Sequence, residues 1–103
     1  MSDPIPVCKI DDIPVGEGRE FAVNGKVIAI FRMEDDEFHA IDGLCPHAGG
    51  PIGTGALRKG VVTCPWHGWQ FDVRTGKHCH SDSIRTTTYS VSLDAGNICI
   101  AMQ

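Results

Sequence analysis

Glycine and proline punctuate this chain so densely that it has little room for long regular helices. The 12 glycines and six prolines are scattered through 103 residues as turn markers between short segments. No window of 12 or more residues carries a 3.6-residue apolar period, whereas period-2 alternation recurs. Candidate strands run from Pro6 to Ile10, Glu20 to Asn24, Lys26 to Met33 and Glu37 to Ile41. Others run from Ala56 to Lys59, Val61 to Cys64, Trp69 to Asp72, Thr87 to Leu93 and Asn97 to Met102. Asn24-Gly25 between two apolar runs is a strong hairpin signal, because both residues tolerate the positive φ of a tight turn. Asp35-Asp36 and Ala95-Gly96 read as further turns. Near the C-terminus Tyr89, Val91 and Leu93 share one face and Thr88, Ser90 and Ser92 the other, and Ile98, Ile100 and Met102 repeat the pattern. The sequence predicts an all-β fold.

A chain of 103 residues has room for a single domain. Its 42% hydrophobic and 21% charged content is that of an ordinary globular protein, which excludes a disordered or low-complexity chain. The longest apolar run, Val27 to Phe31, is far short of the roughly 20 residues of a membrane-spanning helix, and no secretory signal opens the chain. Thirteen carboxylates against nine Lys and Arg leave a formal charge of -4, the wrong sign for a nucleic-acid binder. The expectation is a protein of the cytoplasm, with neither membrane nor nucleic acid as a partner. Five cysteines is a high and odd count, which fits a disulfide framework poorly and a metal in a reducing compartment better.

The middle of the chain differs from its ends. Residues 43–80 hold most of the glycines, four of the five histidines, both tryptophans and three of the five cysteines. Such a block reads as a loop-built site set into a sheet scaffold. Within it stand Cys45-Pro46-His47 and Cys64-Pro65-Trp66-His67, separated by 16 residues. Each motif supplies one thiolate and one imidazole from the same loop. All-cysteine ferredoxins need closely spaced cysteines, and zinc fingers usually pair Cys with Cys and His with His. One Cys and one His in each half instead suggests two metals with different ligand sets.

The run LCPHAGGPIGTGALRKGVVTCPWHGWQFDVRTGK, residues 44–77, resembles the cluster-binding segment of Rieske [2Fe–2S] ferredoxins. Gly68 after the second His, Phe71-Asp72 and Thr75-Gly76 are part of the likeness, and so are the flanking Ile13-Pro14, Gly16, Asn24-Gly25 and Ala40-Ile41. The resemblance implies one [2Fe–2S] cluster, with Cys45 and Cys64 on one iron and His47 and His67 on the other. It implies a Rieske-type antiparallel β-sandwich or barrel: one domain, 1–103, with scaffold 1–42 and 81–103 and a cluster-binding subdomain 43–80. Replacing two anionic ligands by neutral ones raises the potential to roughly -150 to +300 mV, against about -400 mV for all-cysteine plant ferredoxins.

Departures from the high-potential members narrow this further. The quinol-oxidising Rieske proteins tie their loops with a disulfide whose cysteines would fall at Gly49 and Trp66, and place a Ser where this chain has Trp69. Without that hydroxyl the potential is expected near the low end of the range. The implied function is that of a soluble, monomeric one-electron carrier without catalytic residues. Its transient partners would be an NAD(P)H-dependent flavin reductase and a terminal oxygenase. The chain also resembles the small subunit of assimilatory nitrite reductase, and a zinc-binding structural module is a third reading.

Cys8 and Cys99 lie in predicted strands and read as small buried hydrophobes. His78-Cys79-His80 is expected on an exposed turn with no ligand role, and His39 on a strand. Of Trp66 and Trp69, at least one is expected to fill core, and the acidic run Glu34 to Glu37 to form a solvated turn.

Overall fold

Asn24 and Gly25 take φ values of 50° and 80°, the mirror-image turn whose twist matches that of paired strands. They join β2 (Gly18–Val23) to β3 (Lys26–Arg32). Ala95 and Gly96 repeat the geometry between β8 (Thr88–Asp94) and β9 (Asn97–Ala101), with φ of 52° and 84°. A third such turn, Lys59-Gly60 at 50° and 81°, joins β5 (Ala56–Arg58) to β6 (Val61–Thr63). The remaining strands are β1 (Ile5–Lys9), β4 (Phe38–Asp42) and β7 (Gln70–Asp72). The computed structural model describes residues 4–46, 49–66, 68–81 and 83–101, among which no α-helix occurs and Ile10–Asp12 and Ile52–Thr54 form single 3-10 turns.

Every strand pairing is antiparallel. Six strands form one nearly closed sheet in the order β1-β9-β8-β4-β3-β2, and β5-β6-β7 form a second, small sheet. All nine expected strands are present, most with bounds shifted by a residue or two; Met102, the predicted end of the last, lies outside the described residues. The all-β architecture predicted from the sequence is the observed one.

Two apolar cores result, and β3 serves both. Its Ile28 and Ile30 point into the barrel with Ile13, Val23, Ala40, Ile98 and Ile100. Its Ala29 and Phe31 point the other way, into a core completed by Ile41, Ile52, Val62, Phe71 and Val73. The small sheet and the 52–54 turn thus cover the outer face of β3, which is why its sequence is a continuous apolar run rather than an alternation. The second core also contains Cys45 and Cys64. Alternation misleads at one position: Leu93, on the face of Tyr89 and Val91, is 51% exposed although its partner Ile98 is buried, at a point of β8 beyond its pairing with β4, which reaches only Thr88 and Tyr89.

Candidate metal centre

Cys45 and Cys64 enter the second core from two loops of the same build. The first loop leaves β4 and is closed by a bridge between Leu44 and Pro51, with Cys45 N–H donating to Gly50 O at 2.8 Å. The second connects β6 to β7, with Cys64 N–H donating to Trp69 O at 2.7 Å. In both, proline follows the cysteine, the residue five positions on accepts the cysteine N–H, and a glycine four positions on has φ of +74°. Gly49 and Gly68 occupy those left-handed positions, where a Cβ would be strained. His47 and His67, the other expected ligands, lie outside the described residues.

The cysteines are 3% and 1% exposed, and no disulfide joins them. Their thiols lie within hydrogen-bonding reach of each other. Burial pushes the Cys64 thiol up, a Trp66 backbone N–H bonded to it opposes the shift, and the Cys45 thiol beside it adds to the rise. With the Cys64 thiol pushed up, the pair of buried sulfurs is not a nucleophilic site. A bound cation reverses that balance and deprotonates them outright. The space between the loops suits such a group: a Cβ built at Gly50 would lie 2.8 Å from Cys64 Sγ and 2.9 Å from Trp66 Cγ. The donor set and the glycine-lined cradle therefore fit a cluster held by two thiolates. Gly50→Ala is expected to lower iron content several-fold, because its methyl group must displace a ligand sulfur or the Trp66 ring; iron per chain by colorimetry checks this.

Leu44 and Trp66, each 50% exposed, flank the two cysteine loops as an apolar rim. Trp69 packs on the second core instead, as expected for one of the two tryptophans. The His78 ring meets Trp69 edge-on with centroids 4.7 Å apart and Phe71 at 5.2 Å, while His80 shares a 3.1 Å hydrogen bond with Gln70. Cys79 between them is exposed, and the described residues contain no metal-binding group of three or more His, Cys, Asp or Glu. Cys99 is buried on β9; Cys8, on the neighbouring strand, is half-buried, and burial with nearby Asp12 pushes its thiol up to about 11. His39 lies on β4 and pairs with Glu37 at 3.0 Å. Sequence reasoning missed Glu20, whose Oε2 accepts the Gly53 N–H at 2.9 Å beneath the first loop. A glutamate in an amphipathic strand carries no signal of such a role.

Residues 3–90 match the family model described as the Rieske [2Fe-2S] domain. The chain is 36% identical over 95 residues to the ferredoxin component of a Ralstonia naphthalene 1,2-dioxygenase/salicylate 5-hydroxylase system, covering 91% of this chain and 90% of the relative. It is 42% identical over 71 residues to human apoptosis-inducing factor 3, covering 68% of this chain and only 11% of that longer protein. Among solved structures, the carbazole 1,9a-dioxygenase ferredoxin of Nocardioides aromaticivorans superposes with a TM-score of 0.89 at 28% identity, covering 99% of this chain and all of the other. A ferredoxin solved in complex with its carbazole 1,9a-dioxygenase oxygenase gives 0.84 at 28%, covering 94% and 100%. A Mycobacterium tuberculosis chain assigned as the small subunit of an NADH-dependent nitrite reductase shares the fold at 0.90 and 22% identity, covering 100% and 97%. Among the described residues no helix is long and apolar enough to cross a membrane. The paired loops, the buried thiols and the family match converge: this chain belongs to the Rieske [2Fe–2S] family and binds one such cluster.

Proposed function

We propose that this chain passes single electrons from an NAD(P)H-dependent flavin reductase to a terminal oxygenase, as a monomer in the cytoplasm. Cys45 and Cys64 are the thiolate ligands of one iron, and His47 and His67 the imidazole ligands of the other. Residues 43–80 form the cluster-binding subdomain, and 1–42 with 81–103 the scaffold. Bound there, the cluster supplies one reversible one-electron couple. The observation that carries the reading is the pair of buried cysteines brought together by two loops of equivalent build.

The rest of the site does the work of a carrier. The two thiolates cancel the +2 charge of an oxidised Fe2S2 core, so the anionic ligands meet a compensating charge in an apolar core. Backbone hydrogen bonds at Cys45 and Cys64 and the two φ-positive glycines fix the loops, which keeps the ligands from rearranging when charge changes. The Trp66 N–H on Cys64 favours negative charge on that sulfur. Leu44 and Trp66 give the tip an apolar surface suited to brief docking, where short contact serves turnover better than tight binding.

The named role of the Ralstonia relative, matched over nine-tenths of both chains, supports an oxygenase as acceptor, and so does the ferredoxin solved with its oxygenase. The nitrite reductase resemblance stands on fold alone at 22% identity, and a large subunit copurifying with the chain would favour it. Protein-film voltammetry from about pH 6 to about pH 11 tests the reading. The expected result is a low potential that is flat through neutral pH and falls in alkali, as ligand imidazoles lose protons. A protein with zinc, no acid-labile sulfide and no redox wave would remove the carrier reading altogether.

A further inference from the structure

Glu20 sits opposite Ala29 in the β2–β3 pairing, and Ala29 belongs to the second core. Its half-buried side chain passes under the segment that carries the first ligand loop. There its Oε2 accepts the Gly53 N–H at 2.9 Å. A Cβ built at Gly43 would lie 2.8 Å from that same oxygen, and one at Gly53 2.5 Å from Glu20 Cγ. Two glycines therefore leave a slot that the carboxylate fills. The slot lies at the neck of the loop: Gly43 N–H donates to Val27 O at 2.8 Å and Ile52 N–H to Gly43 O at 3.0 Å, and Cys45 follows two residues after Gly43.

A neutral oxygen would satisfy the Gly53 N–H equally well, so the charge calls for a separate account. Among the described residues no ion pair within 4 Å includes Glu20. The elements packed on it are β3 at Ala29, Gly43 and the Ile52–Thr54 turn, which bring no charged side chain there. Its neighbour Arg19 is turned to Glu17 and to the Gly18 carbonyl. Its carboxylate lies against Gly43, two residues before Cys45, which sets the negative charge at the neck of the first ligand loop.

We propose that Glu20 is a positioning residue of the centre, clamping the neck of the first ligand loop through Gly53 and, as an uncompensated anion nearby, holding the reduction potential down. The inference rests on the cluster reading given above. Two variants separate the roles: E20Q keeps the oxygen acceptor and the volume but removes the charge, whereas E20A removes both. Midpoint potential, iron per chain and the melting temperature of the iron-free protein are measured for each alongside the wild type.

The expected result for E20Q is full iron content and a positive shift of about tenfold in the reduction equilibrium constant, which is about 59 mV for one electron. E20A is expected to lose most of its iron and to melt at a lower temperature, with E20Q rescuing both. An E20Q protein with unchanged potential beside a wild type showing a normal Rieske wave overturns the inference alone. E20A protein matching the wild type in iron and melting also overturns it. A wild type without any cluster overturns both the inference and the reading beneath it.

Discussion

Cys45→Ser yields protein that assembles essentially no cluster, seen as loss of iron, of acid-labile sulfide and of visible absorbance. Two effects add. A serine oxygen is a hard donor and a poor replacement for a thiolate on iron, and its hydroxyl stands in an apolar core where the cysteine is 3% exposed. An unpaired hydroxyl there costs about 1–3 kcal/mol, so the iron-free variant also melts earlier than iron-free wild type. Cys99→Ser separates the two effects. Cys99 is comparably buried but lies on β9, opposite Ser92 and Pro6 and away from both loops. It is expected to lose similar stability while keeping its full iron, and the exposed Cys79→Ser is expected to change neither. Equal iron loss in the Cys45 and Cys99 variants would mean that general unfolding, not ligand removal, empties the site.

That contrast between Cys45 and Cys99 was legible in the sequence, because one cysteine sits in a Cys-Pro-His motif and the other in an alternating strand. The strands were legible for a related reason. Turn pairs such as Asn24-Gly25 and Ala95-Gly96 are local chemistry, and local chemistry sets where an antiparallel strand begins and ends. What the sequence left hidden depends on segments far apart in the chain. Burial of β3 on both faces requires the small sheet and the 52–54 turn to fold back over Ala29 and Phe31. The role of Glu20 requires Gly53, 33 residues away, and nothing near Glu20 marks it. The shared build of the two cysteine loops is partly written in the sequence as a glycine four residues after each cysteine. Its meaning appears only when both glycines are seen at the same positive φ and both cysteine N–H groups are seen closing the same ring. Leu93 fails in the opposite sense: its alternation is sound and its partner Ile98 is buried, but β8 there lies beyond its pairing with β4, and the side chain stays exposed.

His47→Cys tests the half of the ligand set that the described residues do not include, and its effect is on potential rather than assembly. With two thiolates and two neutral imidazoles the ligands offset the +2 of the oxidised core, and the arriving electron gives a net charge of -1. A third thiolate makes the oxidised site -1 already, so the electron enters against a standing negative charge. The second core offers little to screen that charge, being built of residues such as Phe31, Ile52, Val62 and Phe71. The potential is therefore expected to fall by on the order of 100 mV or more, toward the all-cysteine range. The alkaline fall of the potential should weaken as well, since one titrating imidazole is gone. Changing a histidine outside the ligand set moves neither quantity: His80→Cys, on the exposed turn beside Gln70, is the matched control. If the potential of His47→Cys stays at the wild-type value while its iron is retained, His47 is not a ligand. The second metal then has to be held by another donor.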